Sequence, residues 1–252
     1  MSPHDRPLDP THTLVLATSG DATAEASATA AALRTVLDHT DTVMLDLDLD
    51  VLASDHPRLA ERLRDRVDDD GDTLRAPVDR VRDPLSDLLA LTDIHRFVTL
   101  ERLDAFRDGR LLLHYVPDHA TFEVDAAAAD GVDDAVSRAV ADEPAGLLPA
   151  GTLADWYEGG TQYELGPPSL CVDGSTCFAL AELERVAFDD GNQTIRVTWR
   201  DGGGILAAAS ELLGPRRPNR FAFDSPNRYE DVAAAFATVV DALDVETAGE
   251  RP

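Results

Sequence analysis

The sequence predicts an α/β N-terminal domain followed by an α+β C-terminal domain, the latter an antiparallel meander closed by a terminal helix. Three observations carry this. Up to about residue 141, short apolar runs alternate with stretches whose apolar residues recur at helical spacing. Residues 142–152 then concentrate proline and glycine, the composition of a linker. Beyond them, brief extended runs separated by Gly, Asn and Asp lead into one long amphipathic stretch. The boundaries are therefore 11–141, 142–152 and 153–245, with 1–10 and 246–252 expected to be disordered.

In the first domain, residues 13–17 form a short buried strand, and Thr18 to Asp21 make a turn able to cap a helix ending near Asp38. Leu33, Val36 and Leu37 share one face of that helix, and Glu25 suits the positive end of its dipole. A second strand spans 42–51. Ser54 or Asp55 caps a helix bearing Leu59, Leu63 and Val67 on one side, and Asp68-Asp69-Asp70-Gly71 stops it. Asp83-Pro84 opens another through Leu85, Leu88 and Leu89, since proline is tolerated in a first turn. A strand at 94–100 follows. Asp108-Gly109 turns the chain into a strand at 110–116, with 121–125 as its edge partner in a hairpin. Val132, Ala135, Val136, Ala139 and Val140 are the core-facing stripe of a last helix.

In the second domain, strands are predicted at 162–165, 169–172, 176–180, 184–188, 194–200, 205–209 and 220–223. Asp173-Gly174, Asp190-Gly191-Asn192 and Gly202-Gly203-Gly204 are the turns between them. The terminal helix, 228–243, aligns Tyr229, Val232, Ala233, Phe236, Val239, Val240 and Leu243 on one face. Asn227 and Glu230 have the spacing of a capping box. This order of elements, in roughly residues 160–245, resembles the pleckstrin-homology-like architecture. The resemblance implies a fold and no particular function.

The chain has 35 Asp, 13 Glu, 22 Arg and no Lys, for a net charge of −26. In molar salt the Debye length shrinks to about 3 Å, so surface carboxylates stop repelling one another while still holding water and cations. Lysine exposes a long apolar stem, whereas arginine pairs bidentately with carboxylates. The composition resembles that of haloarchaeal cytoplasmic proteins, and the chain as a whole resembles a haloarchaeal family with no assigned role. That implies a salt-adapted cytoplasmic protein. With 44% apolar residues the acidity is not that of a disordered chain. No apolar run is long enough for a membrane segment, and no signal pattern opens the chain. The charge disfavours nucleic-acid binding, which draws its affinity from cations on phosphates, although high salt weakens that argument. Cys171 and Cys177 are too few for a disulfide framework or a zinc site and read as small buried side chains.

Against an acidic background, most aspartates are simply a solvated surface. Along the predicted strand at 42–51, Asp46, Asp48 and Asp50 fall on one face, where three carboxylates can hold Mg²⁺. Asp48-Leu49-Asp50-Val51 resembles the first motif of haloacid-dehalogenase-like phosphatases. The later cation and acids of that family have no counterpart here. His114, Asp118 and His119 flank a bend at Tyr115-Val116-Pro117 without the spacing of a helical metal site, and His95 is isolated. No nucleophile elbow, phosphate loop or cofactor motif is legible.

One stretch departs from the acidity. Between Gly214 and Arg228, Arg216, Arg217, Arg220 and Arg228 face only Asp224, leaving +3 over fifteen residues. Together with Arg200 they can grip phosphates or a partner's carboxylates, or else anchor a loop through the chain's own acids. Trp156, Tyr157, Tyr163 and Trp199 can add an interface or fill the core. The expectation is a binding or regulatory module without catalysis, acting on a protein or phosphate-bearing partner through this arginine-bearing side. The competing expectations are a divalent-metal hydrolase or phosphotransferase using the three aspartates, and an assembly adaptor.

Overall fold

A computed structural model of the chain describes residues 8–17, 22–66, 68–69, 74–91, 99–119, 121–200 and 216–248. Several expectations lie outside the described residues: the turn at 18–21, the stop at 70–71, most of the strand at 94–100 with His95, the turn at 202–204 and the strand at 205–209. The chain divides into two compact units, Met1–Leu147 and Leu148–Pro252.

The first unit contains β1 (His12–Leu16), α1 (Ala22–Asp38), β2 (Thr42–Leu47), α2 (Leu49–Asp55), α3 (Pro57–Arg64), β3 (Asp68–Asp69) and β4 (Leu74–Pro77). It continues with α4 (Val78–Leu89), β5 (Leu100–Arg107), β6 (Arg110–Val116), β7 (Thr121–Val124), α5 (Val132–Ala139) and β8 (Ala145–Pro149), within which the division between the units falls. The strands form one eight-stranded sheet in the order β3-β4-β2-β5-β6-β7-β1-β8. Helices and strands are mixed as expected. The pairings from β3 through β1 are nonetheless antiparallel, not the parallel pairing that strand-helix alternation usually builds.

Register sorts the side chains to two faces. Val43, Ala105, Leu113 and Val124 lie opposite one another in turn, as do Leu45, Leu103, Tyr115 and Phe122. These residues join Leu33, Val36 and Leu37 of α1, Leu63 of α3, Leu85 and Leu88 of α4 and Val136 of α5 in one hydrophobic core. The other face carries Met44, Asp104, His114, Glu123 and Thr13 in one row across the same strands.

Several expectations are corrected here. The strand at 42–51 ends at Leu47, because Asp48 N-caps α2 by accepting from the backbone N–H of Asp50 and Val51 at 3.0 and 2.9 Å. The helix with Leu59 and Leu63 ends at Arg64, and no side chain caps it; Pro57 opens it instead. Pro84 lies inside α4, which starts at Val78. Val78, Val81, Leu85 and Leu88 are all buried on one side, and that burial outweighs the roughly 3 kcal/mol an interior proline costs. Finally, the expected linker holds β8, whose Ala145–Leu148 stretch is buried at the sheet edge. The β6–β7 hairpin forms as read, but β7 is interior, flanked by β6 and β1. The Asp108-Gly109 turn, with both residues at positive φ, joins β5 to β6.

The second unit begins with β9 (Ala154–Glu158), β10 (Thr161–Gly166), β11 (Ser169–Val172) and β12 (Thr176–Ala179), a four-stranded antiparallel meander. A second sheet holds β13 (Leu183–Asp189), β14 (Thr194–Trp199) and β15 (Arg220–Ala222). Helix α6 (Pro226–Leu243) follows, then β16 (Glu246–Ala248), which pairs parallel with β13. β9 was not legible, and 246–248 is a strand rather than part of a disordered tail.

The apolar face of α6 is buried as its pattern requires, Tyr229 through Leu243 included. The capping box does not form: Ser225 is the N-cap and Asn227 is already helical. Trp156, fully buried, centres the core, stacked on Tyr163 at 5.3 Å and edge-on to Phe221 at 5.1 Å, with Phe236 of α6 at 6.2 Å.

Candidate functional site

The three aspartates do not share a strand face. Asp46 is on β2 and is ion-paired with Arg102 of β5 at 2.8 Å, Asp48 caps α2, and Asp50 is on the first turn of α2, fully exposed, 3.6 Å from Arg64. An open cleft of about 310 Å³ is lined by Asp46, Leu47, Asp48 and Glu101. Among the described residues, no group of three or more His, Cys, Asp or Glu is arranged to hold a metal ion.

The structure does connect two residues that sequence reasoning treated separately. From Asp46 the polar face runs through Arg102 to Asp104, 3.6 Å on, and from Asp104 to His114 Nδ1 at 2.7 Å. Asp104 is 9% exposed. Cross-strand register makes this network: Asp46 faces Arg102, and Asp104 faces His114. Arg102 and Asp104 were not singled out, because a lone Arg or Asp on an unrecognised strand carries no local signal. Asp118 and His119 are exposed and lie 3.9 Å apart, away from any such pairing.

In the second unit the arginines divide by role. Arg217 is an anchor: its guanidinium reaches Glu182 at 2.8 Å and donates to the Arg200 carbonyl at 3.0 Å. Arg200 N–H in turn donates to the Glu182 carbonyl, and Trp199 Nε1 to the Pro218 carbonyl at 2.7 Å. This set pins the segment before β15 to the end of β14. Arg216, Arg220 and Arg228 are exposed.

Arg220 has a neighbour that sequence reasoning missed. Arg196 of β14 lies directly opposite it, and both are exposed. Val197 N–H bonds to Asn219 and Phe223 N–H to Gln193, so the Arg196–Arg220 pair falls between the hydrogen-bonded positions. There, Cα atoms approach to about 4.5 Å and side chains are closest. The same face carries Thr198 and, opposite Arg196 on β13, the small Ala187. The period-two exposure of β14 was the available signal. The charge count over 214–228 could not include a residue so distant in sequence.

Of the four aromatic residues singled out, Trp156 and Trp199 are buried, Tyr163 packs against Trp156 and Phe221, and Tyr157 is strongly exposed, at 62%. The cysteines are not the separate buried side chains expected. Cys171 and Cys177 face each other across β11 and β12 and form a disulfide, with Cys177 exposed.

Among the described residues, no helix is long and apolar enough to cross a membrane. Comparison with family models, with curated proteins and with solved structures gives no match to this chain.

Proposed function

We propose that the chain is a salt-adapted cytoplasmic binding or regulatory protein without catalysis of its own, and that its C-terminal unit receives an anionic group through the outer face of β13–β15. The four-strand meander, the further three strands and the following helix support the pleckstrin-homology-like reading of this unit; the added β16 departs from it.

One observation carries the binding reading, a contrast between two cross-strand arginine pairs. Arg107 and Arg110 close the β5–β6 hairpin opposite each other, and each has its own carboxylate, Asp41 at 3.1 Å and Asp125 at 3.0 Å. Arg196 and Arg220 are also opposed, yet no carboxylate among the described residues lies within ion-pair distance of either. In a chain with 48 acids and 22 cations, an opposed arginine pair without an ion-paired carboxylate among the described residues is a position open to an external anion.

The test is a backbone-amide NMR titration in molar KCl with phosphate-, sulfate- and carboxylate-bearing ligands. The reading expects shifts clustered on β13–β15. A protein that responds to none of these ligands, or responds only in its first unit, is not this kind of module.

A further inference from the structure

Resting on that reading, we infer that Arg196 and Arg220 together form a clamp for one phosphomonoester dianion. Like charges directly opposite on a sheet destabilise the pairing. Elsewhere the chain relieves the same arrangement with carboxylates, at Arg107 and Arg110.

Two acids in the neighbourhood of this pair already hold other hydrogen bonds. Asp189 lies in the field of both guanidiniums, which helps hold its carboxyl below the usual range, after the larger effect of its hydrogen bonds from Asn192. Those bonds occupy both of its oxygens, the Asn192 backbone N–H at 3.0 Å and Nδ2 at 2.8 Å. Glu158 accepts from the Ala222 N–H at 2.9 Å, closing the free edge of β15. Neither carboxylate bridges the arginines. Asp224, just past β15, forms no ion pair with them among the described residues.

The number and geometry of the donors select the ligand class. A carboxylate has two oxygens and one charge, which a single guanidinium fork satisfies. Two forks carried at directly opposed, exposed positions of adjacent strands suit a group with about two negative charges and three acceptor oxygens, which is a phosphomonoester. Ala187 across from Arg196 leaves the approach open, and the exposed Thr198 supplies a neutral donor on the same face. The phosphomonoester can come from a small metabolite or from a phosphorylated side chain, since both present the same group.

The experiment is a ³¹P NMR and calorimetric titration of the full chain, at the lowest KCl concentration that keeps it folded. The probes are phenyl phosphate, a phosphoserine peptide and its unphosphorylated form, with benzoate as the carboxylate counterpart. Binding of phenyl phosphate and not benzoate is expected, weakened at least tenfold in Arg196→Ala and in Arg220→Ala. Arg196→Lys is expected to recover only part of it, and both alanine variants to melt no lower than the wild type, since each removes one of two opposed like charges. A phosphopeptide that binds tenfold more tightly than phenyl phosphate assigns the site to proteins; equal affinities assign it to small phosphates. If the wild type binds no anion, the binding reading itself falls. If it binds anions but Arg196→Ala is unchanged, or benzoate binds as well as phenyl phosphate, only the clamp is overturned.

Discussion

His114 Nδ1 lies 2.7 Å from Asp104 Oδ1, joining β5 to β6 on the polar face of the eight-stranded sheet. The Asp104 side chain is 12% exposed and also faces Arg102 at 3.6 Å. A nearly buried carboxylate with two cationic or donor neighbours is costly to remove, because those neighbours lose their partner while remaining partly desolvated. Asp104→Ala should therefore cost about 2 kcal/mol in denaturant unfolding. Asp104→Asn, which keeps an acceptor for His114, should cost less. Equal and negligible losses in both would show that the row contributes nothing to the sheet.

Asp48 separates the capping role from the metal reading. Its carboxylate accepts two backbone N–H groups of α2, so Asp48→Ala should lose about 1 kcal/mol. Asp48→Asn should retain nearly all the stability, since asparagine caps as well as aspartate. A cation site would behave differently, giving a Mg²⁺- or Mn²⁺-dependent rise in Tm that Asp48→Asn abolishes. Melting curves with and without the metal, on both variants, decide between them.

The Cys171–Cys177 pair closes a loop of only six residues in sequence separation. Constraining so short a loop removes little entropy from the unfolded chain, about 2 kcal/mol at most. Reduction, or Cys171→Ser with Cys177→Ser, should lower stability by no more than that. The loss should appear first as faster amide exchange in β11 and β12. Free-thiol titration of the unfolded, unreduced chain should find no thiols; finding both would contradict the pairing.

Much of the fold could be read in the sequence wherever burial follows a simple period. α1, α5 and α6 were placed by their apolar stripes, and β10 to β15 by alternation between turns. Legibility failed where the chain breaks its own local rules. Pro84 is interior to a helix, apolar β8 is framed by Pro144 and Pro149, and Asp48 ends a strand inside an apolar-acidic alternation that looks continuous. The polar network of Asp46, Arg102, Asp104 and His114 and the Arg196–Arg220 pair were illegible for a different reason. Both exist only through cross-strand register, which brings together residues from separate segments.

Alkaline pH should loosen the second unit through Tyr229. Its hydroxyl donates to Asp190 Oδ1 at 2.5 Å, tying α6 to the turn between β13 and β14. Burial first, and then this hydrogen bond and the charge of Asp190, push the phenol well above its ordinary range. The folded state thus favours the neutral phenol, while the unfolded chain releases the proton near pH 10. The stabilisation is complete below about pH 10 and is lost as pH rises further, because the unfolded state then binds fewer protons than the folded one. Tyr163, also raised, by burial and then by Glu158 and Asp173, adds to the same slope. Tyr229→Phe should cost about 1 kcal/mol at pH 7 for the lost hydrogen bond. Between about pH 9 and 11 it should lose stability less steeply than the wild type, retaining only the share due to Tyr163. Denaturant midpoints for both proteins across that range measure this directly, and parallel slopes would remove Tyr229 from the account.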